Sequence, residues 1–144
     1  MSRVLEVTNL EGGYGKVQIM NGVDLYVDEG EFVTVIGPNG CGKSTFIKLI
    51  FGIATYYGGS VKHKGEEVSG WRTDSLVNRG IAYVPQVDNV FPNLSVRENL
   101  EMGGINLSIP VLNERIERTL EMFADLKSRM SDVAASLSGG QRQM

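Results

Sequence analysis

Cysteine and histidine are nearly absent from this 144-residue chain, with one of each. Cys41 alone excludes an internal disulfide and is compatible with a reducing cytoplasm. His63 falls in a stretch that reads as a short hairpin and is expected to be a solvated surface residue. Long apolar runs are missing as well, since no stretch approaches the ~20 residues needed to span a bilayer. The opening Met1-Ser2-Arg3-Val4-Leu5-Glu6-Val7 lacks the apolar core of a signal peptide. Any link to a membrane is therefore expected to run through a partner protein. A basic surplus is absent too: the formal net charge is −3, so nucleic-acid binding is not expected as a main task. No repeat, low-complexity tract or sustained heptad pattern occurs.

What is present is the balance of a soluble globular protein, with 42% hydrophobic and 22% charged residues, enough to bury a core. Residues 4–7 and 23–27 alternate apolar and polar side chains, as half-buried strands do, with a glycine-rich turn over Gly12-Gly13-Tyr14-Gly15 between them. Asp28-Glu29-Gly30 is a second turn signal. Phe32-Val33-Thr34-Val35-Ile36 is almost wholly apolar and β-branched, which predicts a buried parallel strand. Residues 44–51 carry Phe46, Ile47, Ile50 and Phe51 at helical spacing, with Gly52 as the stop.

Residues 60–64 and 66–68 read as a hairpin joined at Gly65. Residues 72–78 read as a short helix, and 81–84 as a second buried strand ended by Pro85. Ser95-Val96-Arg97-Glu98 is a capping box that opens a helix ending at Gly103-Gly104. A longer helix follows Pro110, with Leu112, Ile116, Leu120 and Phe123 on one face and Glu114 paired with Arg118 on another. Trp71 is expected to pack rather than bind a ligand, and Met102, Met122 and Met130 to fill the core of the helical part.

Gly37-Pro38-Asn39-Gly40-Cys41-Gly42-Lys43-Ser44-Thr45 fits G-x-x-x-x-G-K-[ST]. Glycines let the backbone turn tightly, so that several N–H groups converge on one anion, and the helix that follows adds its positive end. Lys43 places a full charge beside the β- and γ-phosphates, and the Ser44 hydroxyl is placed to ligate Mg²⁺. Cys41 lies inside the loop, either as a small space-filler or as a thiol activated by the helix start. A phosphate loop by itself marks only a broad class of nucleotide-binding proteins. The second constellation, Leu137-Ser138-Gly139-Gly140-Gln141, puts a capping serine and two glycines at another helix start.

Together these motifs resemble the ATP-binding-cassette (ABC) ATPases, whose LSGGQ signature residues 137–141 match; the resemblance covers the whole chain. It implies an α/β P-loop fold, a three-layer core with an antiparallel β-subdomain over residues 1–87 and a helical subdomain over 88–144. It also implies that Ser138, Gly139, Gly140 and Gln141 contact the γ-phosphate held by a second, identical or different, ATPase subunit. Tyr14 stands where the family stacks an aromatic ring on adenine. Gln86, after Tyr83-Val84-Pro85, matches the glutamine that reaches Mg²⁺ and the attacking water.

Residues 88–136 match the part that docks on integral membrane permease subunits, with a periplasmic or extracellular solute-binding protein engaged indirectly. The implied cofactors are ATP and Mg²⁺, and the implied place is the cytoplasmic face of the membrane. Arg79-Gly80-Ile81-Ala82-Tyr83-Val84-Pro85-Gln86 and residues 90–103 look like the LivF-type ATPases of branched-chain amino-acid importers, which often carry Glu at the place of Gln86. The resemblance further implies a Walker B strand, a D-loop and a switch histidine beyond residue 144. The chain is thus expected to be a piece of a longer ATPase and to turn ATP over poorly alone. Two other readings stay open: a non-transport ABC ATPase of DNA repair or translation, and a regulatory module that binds ATP without turnover.

Overall fold

The computed structural model describes residues 2–87 and 89–143, so Met1, Met144 and Asp88, the expected start of the helical part, lie outside the described residues. The chain divides into two compact units, residues 1–83 and 84–144. In the first, strands β1 (Arg3–Tyr14), β2 (Val17–Asp28), β3 (Thr55–His63) and β4 (Glu66–Glu67) form an antiparallel sheet of order β2-β1-β3-β4. Helices α1 (Lys43–Ile50) and α2 (Thr73–Asn78) complete it.

Strand β1 turns both Val7 and Leu10 inward, three residues apart, because its register shifts between them. Val7 and Leu10 of β1, Met20 of β2 and Val61 of β3 are buried together with Phe46, Leu49 and Ile50 of α1. Helix α1 approaches β1 closely because Gly12 has no side chain: a Cβ there would collide with the Leu49 side chain. Gly12 and Gly13 thus lie within β1, not in a turn, and the reversal falls on Gly15 and Lys16, between Tyr14 and its partner Val17. Trp71 packs against the core, as expected, with the Arg79 guanidinium 5.2 Å above its ring. His63 is half-buried rather than solvated. Burial, then the charges of Lys64 and Arg79, push its pKa below the usual histidine value.

Two expectations fail in this unit. Residues 32–36 and 81–84 belong to no strand or helix, and Phe32 and Ile36 are 92% and 88% exposed. An apolar β-branched run is buried only when ladders flank it on both sides, and no described segment pairs with either run. Their composition therefore specifies strands that find no neighbour here, and among the described residues no parallel ladder is formed.

The second unit holds α3 (Val96–Gly103), α4 (Ile109–Met122), α5 (Ala124–Lys127), a 3-10 turn (Ala134–Ser136) and α6 (Gly139–Gln143). The capping box is present: Glu98 N–H donates to Ser95 Oγ at 3.2 Å, and Ser95 N–H donates to Glu98 Oε2 at 2.7 Å. Ile116 and Leu120 of α4 are buried with Val96, Leu126 and Leu137, while Leu112, Phe123 and Met130 pack at the margin. Met102 and Met122 are exposed, so the core-filling role holds for Met130 alone. The ion pairs among the described residues do not include Glu114 with Arg118. Backbone bonds from Val96 to Asp132 (2.9 Å) and from Ala134 to Leu94 (2.8 Å) tie the start of α3 to the segment that leads into residues 137–141.

Candidate functional site

Residues 37–45 follow the apolar run, turn at Asn39-Gly40 and enter α1. Two positive-φ residues make this path: Gly40 (φ 83°) and Gly42 (φ 96°), the N-cap of α1. Gly42 is needed twice over. An L side chain rarely adopts its φ, and a Cβ there would collide with Met20 Cε of β2. The first intrahelical bond runs from Phe46 N–H to Gly42 O at 2.8 Å. The N–H groups of Lys43, Ser44 and Thr45 precede it and have no carbonyl four residues back to bond within the helix.

Lys43 folds over the loop. Its Nζ donates to Gly37 O at 2.8 Å and Pro38 O at 2.7 Å, with Cys41 Sγ at 3.8 Å. Cys41 is exposed, and its sulfur occupies the space where a Cβ on Gly37 would point. Its volume is therefore spent at the surface of the loop rather than in the core. Gly37, Asn39, Gly40 and Ser44 are exposed, whereas Thr45 is buried at 7% and roots the loop. A cavity of about 350 Å³ beside the loop is lined by apolar side chains such as Met20, Leu25 and Phe46 and also by Asp24, Cys41 and Lys43.

Tyr14 stands in the same unit, at the end of β1 and 43% exposed. The turn that follows it is held by β3: Gly15 N–H donates to Thr55 Oγ1 at 3.3 Å, and Tyr57 O–H donates to Gly15 O at 2.8 Å. These bonds span 40 and 42 residues, and no local signal in the sequence announced them.

The remaining candidates lie in the second unit. Gln86 is exposed in the bend after Pro85 and shares with Asn89, Pro92, Gly139 and Arg142 the wall of a cavity of about 410 Å³. Ser138 Oγ accepts from Gln141 N–H at 3.3 Å, and Gln141 Oε1 accepts from Ser138 N–H at 3.1 Å and from Arg129 Nη1 at 2.7 Å. Gln141 is therefore engaged in closing its own turn. Gly139 and Gly140 are exposed, and a Cβ on either would meet nothing within 4 Å. Arg129, which also bonds Asp132 at 2.9 Å, is a residue that motif reading missed because its partners are set by the tertiary fold.

The sequence model of the ABC transporter family matches residues 20–144. The chain belongs to the ABC transporter family. The cassette is 40% identical over 98% of its length to the "Probable branched-chain amino acid transport ATP-binding protein LivF" of Archaeoglobus fulgidus, spanning 60% of that protein. It is 39% identical over 91% of its length to the "High-affinity branched-chain amino acid transport ATP-binding protein BraG" of Pseudomonas aeruginosa, spanning 56% of it. A "Nod factor export ATP-binding protein I" of Cupriavidus pinatubonensis is 36% identical over 99% of the chain. Among solved structures, the ADP conformation of an ATP-binding cassette of an ABC transporter superposes with a TM-score of 0.82 at 28% identity, over 99% of this chain and 62% of that one. The fold class is therefore the P-loop cassette that the two motifs imply. Among the described residues no helix is long and apolar enough to cross a membrane.

Proposed function

We propose that this cassette is the ATP-binding part of an ABC importer and couples ATP binding and hydrolysis to uptake of branched-chain amino acids. The observation that carries the nucleotide reading is the loop of residues 37–45, with Gly40 and Gly42 at positive φ, first-turn N–H groups that have no partner within the helix, and an ammonium group at its mouth. Lys43 Nζ rests on two neutral carbonyls. Phosphate oxygens are stronger acceptors for an ammonium, so a bound triphosphate draws Lys43 off Gly37 and Pro38 and onto itself. The N–H groups of Lys43, Ser44 and Thr45 then close on the same anion. Among the described residues no group of three or more His, Cys, Asp or Glu could hold a metal ion alone. In this reading Mg²⁺ would be held jointly by phosphate and the Ser44 hydroxyl, which is exposed at the start of α1. Bound there, Mg²⁺ would neutralise charge on the phosphates during transfer. Tyr14 supplies a face for adenine.

In the same reading Ser138, Gly139, Gly140 and Gln141 face the nucleotide of a second ATPase subunit. The open space around Gly139 and Gly140 supports that role. Permease subunits anchor the assembly at the cytoplasmic face of the membrane and receive solute from a solute-binding protein. The choice of branched-chain amino acids rests on the names of the two importer relatives, and the Nod factor relative shows that such likeness extends across substrates. The test is uptake: the full-length protein and its permease partners, expressed in cells lacking their own branched-chain importer, restore leucine accumulation, and Lys43→Ala abolishes it. Restored uptake of a different solute without leucine would replace the substrate assignment.

A further inference from the structure

The hairpin tip that carries Tyr14 is clamped by side chains from a strand that follows it far along the chain. Gly15, the residue after Tyr14, has both of its backbone groups taken by β3, its N–H by Thr55 Oγ1 and its carbonyl by the Tyr57 hydroxyl. The ladder shows how one strand delivers both. Glu11 pairs with Gly58 and Gly12 with Tyr56, so Tyr57 is an extra residue on β3, set in a bulge between two paired positions. In a regular strand neighbouring side chains point to opposite faces; a bulge bends the strand and re-aims the added side chain. Tyr56 and Tyr57 accordingly serve different ends, with the Tyr56 hydroxyl donating to Gly59 O at 2.6 Å within β3. Thr55 sits opposite Gly13, within reach of the next turn residue.

An exposed two-residue turn left to itself would sample several orientations, and ordering it on ligand binding costs conformational entropy. We propose that Thr55 and Tyr57 are positioning residues that hold Tyr14 in place for the nucleotide base, so that binding does not have to order the turn. The proposal rests on the reading of Tyr14 as the base platform. It is confined to affinity for the base and does not extend to the phosphates, which meet the loop of residues 37–45.

The test compares ATP with inorganic tripolyphosphate, titrated calorimetrically into the 144-residue chain and its variants. Tyr57→Phe removes one hydroxyl and keeps the ring; Thr55→Val removes the acceptor and keeps the shape; Thr55→Ser restores the acceptor. Loss of one such hydrogen bond is expected to weaken ATP binding about fivefold in Tyr57→Phe and in Thr55→Val. Thr55→Ser should bind ATP like the parent, and tripolyphosphate affinity should stay the same throughout. In a Tyr14→Ala background, neither substitution should cost anything further. If Tyr14→Ala weakens ATP binding while Tyr57→Phe and Thr55→Val do not, or if they weaken tripolyphosphate equally, the clamp has no role in base recognition. If Tyr14→Ala binds ATP as the parent does, the platform reading itself fails and the clamp falls with it.

Discussion

Gly42 shows how much one residue carries in this cassette. Its positive φ starts α1, and its missing side chain lets the loop rest on Met20. Gly42→Ala introduces both backbone strain and a clash, which together are expected to destabilise the chain by about 2–3 kcal/mol. Thermal denaturation followed by circular dichroism should show the melting point falling by several degrees. An unchanged midpoint would mean that the loop relaxes without cost.

Glu98 is a second such residue. Donation from the Ser95 hydroxyl and N–H holds its carboxyl below the ordinary value of 4.5. Because the folded pKa is the lower one, the unfolded chain binds more protons between the two values. The capping box therefore stabilises α3 fully above about pH 4.5 and loses its contribution as the pH falls through the folded pKa. Glu98→Gln is expected to remove that part of the acid sensitivity, read as a flatter dependence of stability on pH below 4.5.

At the scale of elements, local chemistry was legible and tertiary pairing was not. The capping box at Ser95, the stop near Gly52 and the face of α4 built on Ile116 and Leu120 could be read because donor, acceptor and period lie within a few residues. Residues 32–36 have the composition of a buried strand, but burial depends on neighbours that composition does not supply. Met102 and Met122 are apolar yet exposed because residue type alone does not set which side of a helix faces the core. The turn into α1 at Gly40 and Gly42 was legible as a glycine-rich loop before a helix, whereas Thr55, Tyr57 and Arg129 act through bonds that no window of sequence contains.

The absence of ladder partners for residues 32–36 and 81–84 has a measurable consequence. The amides of residues 32–36 and 82–84 should exchange with deuterium far faster than those of β1, which is paired on both sides by β2 and β3. Equal protection would show that these runs do find partners in solution. The hydrophobic side has its own test. Leu137 is 6% exposed and anchors residues 138–141 in the core of the second unit. Leu137→Ala is expected to cost about 2–4 kcal/mol, visible as a lower denaturation midpoint.

For the whole molecule, each unit supplies a different part of the cassette. The first carries the loop, Lys43 and the clamped Tyr14 turn; the second carries Gln86 and the turn closed by Ser138, Gln141 and Arg129. The chain spans 60% and 56% of the lengths of its two importer relatives, and the contact of residues 138–141 with a second subunit's nucleotide belongs to the proposal for the whole protein. The account as a whole depends on Lys43 exchanging the carbonyls of Gly37 and Pro38 for phosphate oxygens. Calorimetric titration of ATP into the chain and into Lys43→Ala tests this most directly. The account predicts that affinity falls at least tenfold on losing a charge-assisted contact of about 1.5–3 kcal/mol. Equal affinities in the two proteins would contradict it.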